Sequence, residues 1–142
     1  MIKRDMVCER LSIIQDAIAV LERLSTPSKD EFASDFRNPA AAESYLRRAL
    51  EATFDVGRHL LAASGHASLA AEYKSIARGL GQREVVSSDL AARLGLMAGY
   101  RNRLVHLYAQ VTPSELHAII SANLPDLSRF VLAIESYLDT QP

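Results

Sequence analysis

The chain has 142 residues, 49% of them hydrophobic and 6% aromatic, with a formal net charge of −1. We expect one domain over residues 1–142, because this length is enough to bury a core. The near-zero charge excludes a global attraction to nucleic acid, so any RNA binding must come from a local basic patch. Cys8, the single cysteine, excludes an internal disulfide and a cysteine-based metal cluster.

Charged residues interrupt the first twenty positions, which argues against a signal peptide. No apolar run reaches the roughly 18 residues that a membrane span needs. The sequence therefore predicts a cytoplasmic protein without a membrane partner.

The first predicted element is a helix over residues 1–24, with apolar residues at helical spacing from Val7 to Leu21. Ile13, Val20 and Leu24 widen its apolar face, which indicates packing on two sides, and a second copy of the chain is one candidate for the second side. Ser25-Thr26-Pro27 ends the helix. The Ser-x-x-Glu spacing of Ser28 and Glu31 then predicts a capping box and a short helix.

Asn38-Pro39 predicts the start of a long helix that ends at Ser64-Gly65. Its spacing leaves Arg47, Arg48 and Glu51 off the buried stripe. A shorter helix is expected over residues 68–80, closed by Gly79 and Gly81.

Ser88 or Asp89 is the expected cap of the helix that carries Leu90, Leu94 and Met97. Thr112 or Ser114 is the expected cap of the last helix, within which Pro125 predicts a kink or a restart. These elements together predict an all-α fold, an antiparallel bundle of about five helices.

The stretch from Met97 to Tyr108 combines a permanent cation (Arg101), a group that titrates near neutrality (His106) and a phenol (Tyr108). On a regular helix Arg101 and His106 lie about 140° apart, whereas Asn102 and His106 share a face. Joint action needs a break in the helix, an arginine that wraps round, or two chains that meet at a two-fold axis. We expect a homodimer with the site at its interface.

The spacing alone also has plainer interpretations. An arginine and a histidine on an amphipathic helix are commonly a solvated face or a capped core residue. A tyrosine such as Tyr108 or Tyr100 is commonly half-buried, with its hydroxyl at the surface. The spacing alone therefore leaves both interpretations open.

The whole stretch resembles the signature Met-x-Gly-[Phe/Tyr]-Arg-Asn-x-Leu-Val-His-x-Tyr of the HepT-like branch of the HEPN superfamily. Residues 43–61, Leu90-Ala91 and residues 123–127 also resemble that family, so the likeness covers most of the chain from about residue 40. Leu107 departs from relatives, which often carry an acidic residue there.

The resemblance implies a HEPN-like fold and a toxin of a toxin–antitoxin pair that cleaves RNA as a metal-independent endoribonuclease, without a cofactor. Arg101 and His106 correspond to the catalytic pair. Tyr108 corresponds to the tyrosine that accepts AMP from an antitoxin, a nucleotidyltransferase of the MntA type. Asn102 is a candidate for orienting His106 or for a structural role.

Arg103, Arg47 and Arg48 are candidate RNA-binding residues or ordinary solvated side chains. Two other functions remain open: a catalytically inactive helical partner subunit that binds a nucleotidyltransferase, and a plain structural or dimerisation bundle. His59, His66 and His117 make no pair at i,i+3 or i,i+4, so no metal site is expected.

Overall fold

The computed structural model describes residues 1–106 and 111–142. The α-helices within them are α1 (Arg4–Ser25), α2 (Lys29–Ser34), α3 (Arg37–Ala63), α4 (Tyr73–Gln82), α5 (Ser88–Val105) and α6 (Pro113–Asp139). A 3₁₀ turn over Ala67–Ala70 precedes α4, and the described residues contain no strand. The all-α class predicted from the sequence is confirmed, with six α-helices where about five were expected.

The ends of the helices show which of them are antiparallel. The Arg4 guanidinium at the start of α1 donates to the Leu138 carbonyl at the end of α6 (2.9 Å). The Lys3 backbone N–H donates to Nε2 of His59 near the end of α3 (2.9 Å). Helix α1 is therefore antiparallel to both α3 and α6.

One cluster of buried apolar side chains joins all six helices. Each helix contributes at least one side chain that is at most 1% exposed: Ile14, Phe32, Phe54, Ile76, Leu94 and Phe130. Burial of apolar side chains is the main favourable contribution to the stability of a domain, so this cluster determines how the helices pack.

Local signals set several helix ends where the sequence predicted them. Ser28 Oγ accepts from the Glu31 N–H (3.2 Å), and Oε1 of Glu31 accepts from the Ser28 N–H (3.1 Å). These hydrogen bonds lower the pKa of Glu31. Gly65 follows α3 with φ of +83°. Thr112 caps α6 by accepting from the Glu115 N–H (3.1 Å).

The prediction of one helix over residues 68–80, closed by two glycines, is wrong. Helix α4 continues through both glycines to Gln82. A Cβ on Gly79 would lie 3.1 Å from Leu61 Cδ1, and one on Gly81 would lie 2.7 Å from the Ala91 Cβ. These glycines permit close packing against neighbouring elements, and they do not end the helix.

A left-handed residue after α4 ends it instead. Glu84 has φ of 58°, and the following N–H, that of Val85, donates back to the Leu80 carbonyl (2.9 Å). This is the bond pattern of a Schellman motif, in which glycine is the usual residue at the left-handed position.

The expected cap of α5 is off by one residue. Ser87, and neither Ser88 nor Asp89, is the cap, because its backbone is extended and its Oγ accepts from the Leu90 N–H (3.1 Å). Helix α6 is continuous through Pro125, so the alternative of a restart is excluded.

Across residues 1–106 and 111–142, no helix is both long enough and apolar enough to cross a bilayer.

Candidate active site

The last turns of α5 carry two of the residues predicted for the site. Met97, Ala98 and Leu104 are buried and fix this end of the helix in the core. Arg101 lies in the last turns, whereas His106 is the first residue after the helix and is exposed, with extended backbone (φ −98°, ψ 113°).

The helix therefore ends between Arg101 and His106, which is the first of the three routes that the sequence left open. Because His106 has left the helix, the angle of about 140° expected on a regular helix no longer fixes its direction. Its backbone N–H still donates to the Asn102 carbonyl (3.2 Å), so its main chain remains tied to the last turn.

Two other helices hold the Arg101 side chain. Its Nε donates to Oε1 of Glu51 on α3 (2.8 Å), and its guanidinium carbon lies 4.0 Å from the ring centroid of Tyr73 at the start of α4. Tyr73 packs edge-on against Phe54 (5.2 Å between centroids). A salt bridge on one edge and an aromatic face beneath it give the guanidinium a defined orientation.

This arrangement leaves Arg101 able to bind an anion. Its side chain is 19% exposed, and of its five N–H donors only Nε–H and one on Nη1 have acceptors among the described residues. The remaining N–H groups can donate to the non-bridging oxygens of a phosphate.

Asn102 contacts both predicted catalytic residues. Its Oδ1 lies 3.4 Å from Nη1 of Arg101, while its carbonyl accepts from the backbone of His106. The side chain thus reaches toward the arginine, and the link to the histidine runs through the backbone.

Arg103 is engaged in a contact between α5 and α6. Its guanidinium forms a two-pronged ion pair with Glu115, in which Nη2 donates to Oε1 at 2.7 Å. The pair raises the pKa of Arg103 and lowers that of Glu115. Glu115 therefore neutralises the positive charge of Arg103, the residue that the sequence predicted as a candidate for RNA binding.

Arg47 and Arg48 lie on the exposed side of α3, as expected, and border a groove of about 760 Å³ between α1 and α3. The Arg48 guanidinium stands 4.9 Å from the ring centroid of Tyr45. Neither arginine has a carboxylate within ion-pair distance in the described part of the chain.

Tyr108, the predicted AMP acceptor, lies outside the described residues. In residues 1–106 and 111–142 no three side chains of His, Cys, Asp or Glu gather as a metal site would require. His59 accepts from the Lys3 N–H, and burial together with the nearby Lys3 ammonium lowers its pKa. His117 lies 2.8 Å from the Pro27 carbonyl, so it belongs to the packing of α6 on the start of α2.

Sequence reasoning missed the two partners of Arg101. Glu51 was only placed off the buried stripe, and Tyr73 was given no role. Glu51 is 50 residues from Arg101 along the chain, and no local pattern pairs them. The one available signal was that Glu51 lies in residues 43–61, a segment that resembles the HepT-like family as the motif itself does.

Comparison with known families identifies the family to which this chain belongs. The family described as "Ribonuclease HepT-like" matches residues 14–134. The chain belongs to this family. The ribonuclease class predicted from the resemblance is therefore confirmed, and the matched range includes Arg101 and His106.

Individual relatives agree with the family assignment. The "tRNA nuclease HepT" of Aphanizomenon flos-aquae (strain 2012/KM1/D3) is 28% identical over 92% of this chain and 88% of its own length. A crystal structure described as a toxin-antitoxin with AMP-PNP matches with a TM-score of 0.83 and 20% identity, over 93% of this chain and 98% of that one.

A tri-AMPylated Shewanella oneidensis HEPN toxin in complex with MNT antitoxin matches with a TM-score of 0.81 and 21% identity, with the same coverage. At such identities these two structures establish the fold, and the HEPN-like fold expected from the sequence is confirmed.

Proposed function

We propose that this chain is the toxin of a toxin–antitoxin pair and cleaves RNA without a metal ion through Arg101 and His106. The observation that carries the proposal is the end of α5 in a HepT-like ribonuclease. There a guanidinium held by Glu51 and Tyr73 keeps free N–H donors, and an imidazole follows within five residues at the surface.

The chemistry needs only groups that the motif contains. The 2′-oxygen of RNA attacks the adjacent phosphorus, its proton passes to a base, and the bond to the 5′-oxygen breaks as an acid protonates that oxygen. The imidazole of His106 can serve as general base or general acid. Arg101 donates to the non-bridging oxygens, where negative charge accumulates on the phosphorane.

A two-fold dimer supplies the second proton-transfer group. One histidine cannot be deprotonated and protonated at the same instant, but two subunits that share a cleft bring two histidines and two arginines. We propose such a homodimer, with the ends of α5 facing each other across the axis.

The first test is cleavage in the presence of a chelator. We expect the purified protein to cut a mixture of tRNAs in EDTA as fast as without it, because no proposed step uses a metal. The relative named a tRNA nuclease makes tRNA the first substrate to try. Loss of cleavage in EDTA, restored by added magnesium, would contradict the proposed mechanism.

The proposed antitoxin is a nucleotidyltransferase of the MntA type that transfers AMP to Tyr108. Two solved structures with this fold are toxin–antitoxin complexes, and one of the toxins is AMPylated. An AMP group two residues from His106 would add negative charge and bulk that repel RNA.

We expect Tyr108→Phe to keep ribonuclease activity but to resist neutralisation by such an antitoxin with ATP. Mass spectrometry should show AMP addition to the unchanged protein and none at residue 108 of the variant, with Tyr100→Phe as the matched control. Equal neutralisation of both variants would rule out Tyr108 as the regulatory acceptor.

Glu51 and Tyr73 are proposed as positioning residues for Arg101. Tyr73→Phe keeps the aromatic face and should retain activity, whereas Tyr73→Leu removes that face and should lower kcat about tenfold, since a desolvated cation–π contact is worth about 1–2 kcal/mol. Glu51→Gln keeps the hydrogen-bond acceptor without the charge, and its kcat should lie between those of Tyr73→Phe and Tyr73→Leu. Equal kcat for Tyr73→Phe and Tyr73→Leu would refute the positioning role of the ring.

A further inference from the structure

The groove between α1 and α3 is continuous with the candidate active site. Two of its lining residues connect to the site directly, because Glu51 binds Arg101 and Val105 immediately precedes His106. Its apolar lining comes from three helices: Ile13, Ala17, Val20, Ala52 and Val105. Ile13, Val20 and Val105 are only partly buried, so the groove presents apolar surface to solvent beside the proposed reaction centre.

The charges along the groove are unequally compensated. Asp55 accepts from Arg10 (3.4 Å) and from Arg58 (3.3 Å), and Glu51 is paired with Arg101. Arg47 and Arg48 on the α3 side have no carboxylate partner among the described residues, and on the α1 side only the exposed Asp16 is unpaired. The α3 rim therefore offers two guanidinium groups to an anionic ligand.

Tyr45 adds an aromatic surface to the same rim. Its half-buried ring lines the groove, and the Arg48 guanidinium stands over it at 4.9 Å. An apolar floor, an aromatic ring and adjacent arginines are the features with which proteins bind single-stranded nucleic acid, through base stacking and backbone contacts.

We propose that this groove binds an unpaired nucleotide of the RNA, next to the phosphodiester that is cleaved. Its base lies on Tyr45 and the apolar floor, and Arg47 and Arg48 contact the backbone phosphates. This inference rests on the proposed ribonuclease function and adds a requirement to it. A base stacked inside a duplex cannot reach the floor, so cleavage falls in loops or single-stranded ends.

Binding is measured with a probe that the enzyme cannot cut. A short, fluorescently labelled 2′-O-methyl oligoadenylate lacks the nucleophilic 2′-hydroxyl, and the same backbone without bases separates base contacts from phosphate contacts. Arg47→Ala with Arg48→Ala should weaken binding of both probes about tenfold, and should lower the salt-dependence slope of log K by about 1.4, the loss of two phosphate contacts to a single strand.

Tyr45→Leu should weaken binding of the oligoadenylate at least about fivefold and leave the base-free backbone unaffected, because stacking needs the base. The double variant Arg78→Ala with Arg83→Ala removes the same charge from α4 and the residue that follows it, outside the groove, and should leave binding of both probes unchanged.

The outcomes separate this inference from the proposed function. If the protein cleaves RNA in EDTA but the groove variants bind both probes as the unchanged protein does, the groove inference is overturned and the function stands. If groove-dependent binding is found without cleavage, the groove binds single-stranded RNA but the proposed ribonuclease function is overturned. If the groove variants instead dissociate a dimer without changing probe affinity, the groove is a contact between subunits and the inference is overturned.

Discussion

Replacing Arg101 or His106 with alanine is expected to abolish nearly all RNA cleavage by this protein. Loss of a general acid or base typically costs about 10²–10⁴ in rate. Loss of a donor to the developing oxyanion costs about 10²–10³. Arg101→Lys should also be strongly impaired, because an ammonium keeps the charge but provides neither the planar fork nor the stacking on Tyr73. Initial rates on tRNA in EDTA measure each effect.

Matched controls distinguish chemistry from folding. Arg78→Ala and His66→Ala remove the same residue types from other parts of the surface and should keep full activity. The helix content seen by circular dichroism should be unchanged for His106→Ala, because His106 lies outside α5. Cleavage at the unchanged rate in both Arg101→Ala and His106→Ala would assign it to a contaminant and contradict the proposed site.

Gly57→Leu is expected to be the most destabilising single change considered for this fold. Gly57 is buried in α3, where an added Cβ would lie 2.6 Å from Ile76 Cγ2 and 3.0 Å from Leu80 Cδ1 on α4. Both neighbours are at most 1% exposed and have no room to retreat. Overpacking of this kind costs up to about 3 kcal/mol, which corresponds to a decrease of about 10 °C in melting temperature.

The same change should reduce activity through Tyr73. Helix α4 carries both the residues that would be displaced and the ring that supports Arg101. Gly95→Ala is the control, because a Cβ there meets nothing within 4 Å, and replacing a glycine inside a helix stabilises it by about 0.5–1 kcal/mol. Thermal unfolding measures both, and an equal melting temperature for Gly57→Leu and the unchanged protein would contradict close packing of α3 on α4.

Helix ends could be predicted from the sequence where a short-range signal sets them. Ser28 with Glu31, Gly65 and Thr112 each act on residues within four positions, so their effect is visible in the sequence. Gly79 and Gly81 led to a wrong prediction of the end of α4, because a glycine that ends a helix and one that permits close packing cannot be distinguished in the sequence. Only the positions of Leu61 and Ala91 in the fold distinguish the two.

The candidate site divides in the same way. Arg101, Asn102 and His106 lie within six residues of the chain and form a motif, so the sequence could predict them together. Glu51 and Tyr73 reach Arg101 from two other helices, and this required the packing of α3, α4 and α5. The compensation of Arg103 by Glu115 was hidden for the same reason, since the partner lies on α6.

Mixing the unchanged protein with the His106→Ala variant tests most directly whether the site is shared by two subunits. Equal amounts of the two are exchanged into mixed dimers, whose formation is verified by native mass spectrometry, and tRNA cleavage in EDTA is then measured. If one cleft needs the histidines of both subunits, only dimers of two unchanged chains cut RNA, and random pairing leaves roughly a quarter of the activity of the unchanged protein at the same total concentration. A mixture that forms mixed dimers yet keeps about half of that activity would show that each subunit acts alone and would contradict the shared cleft.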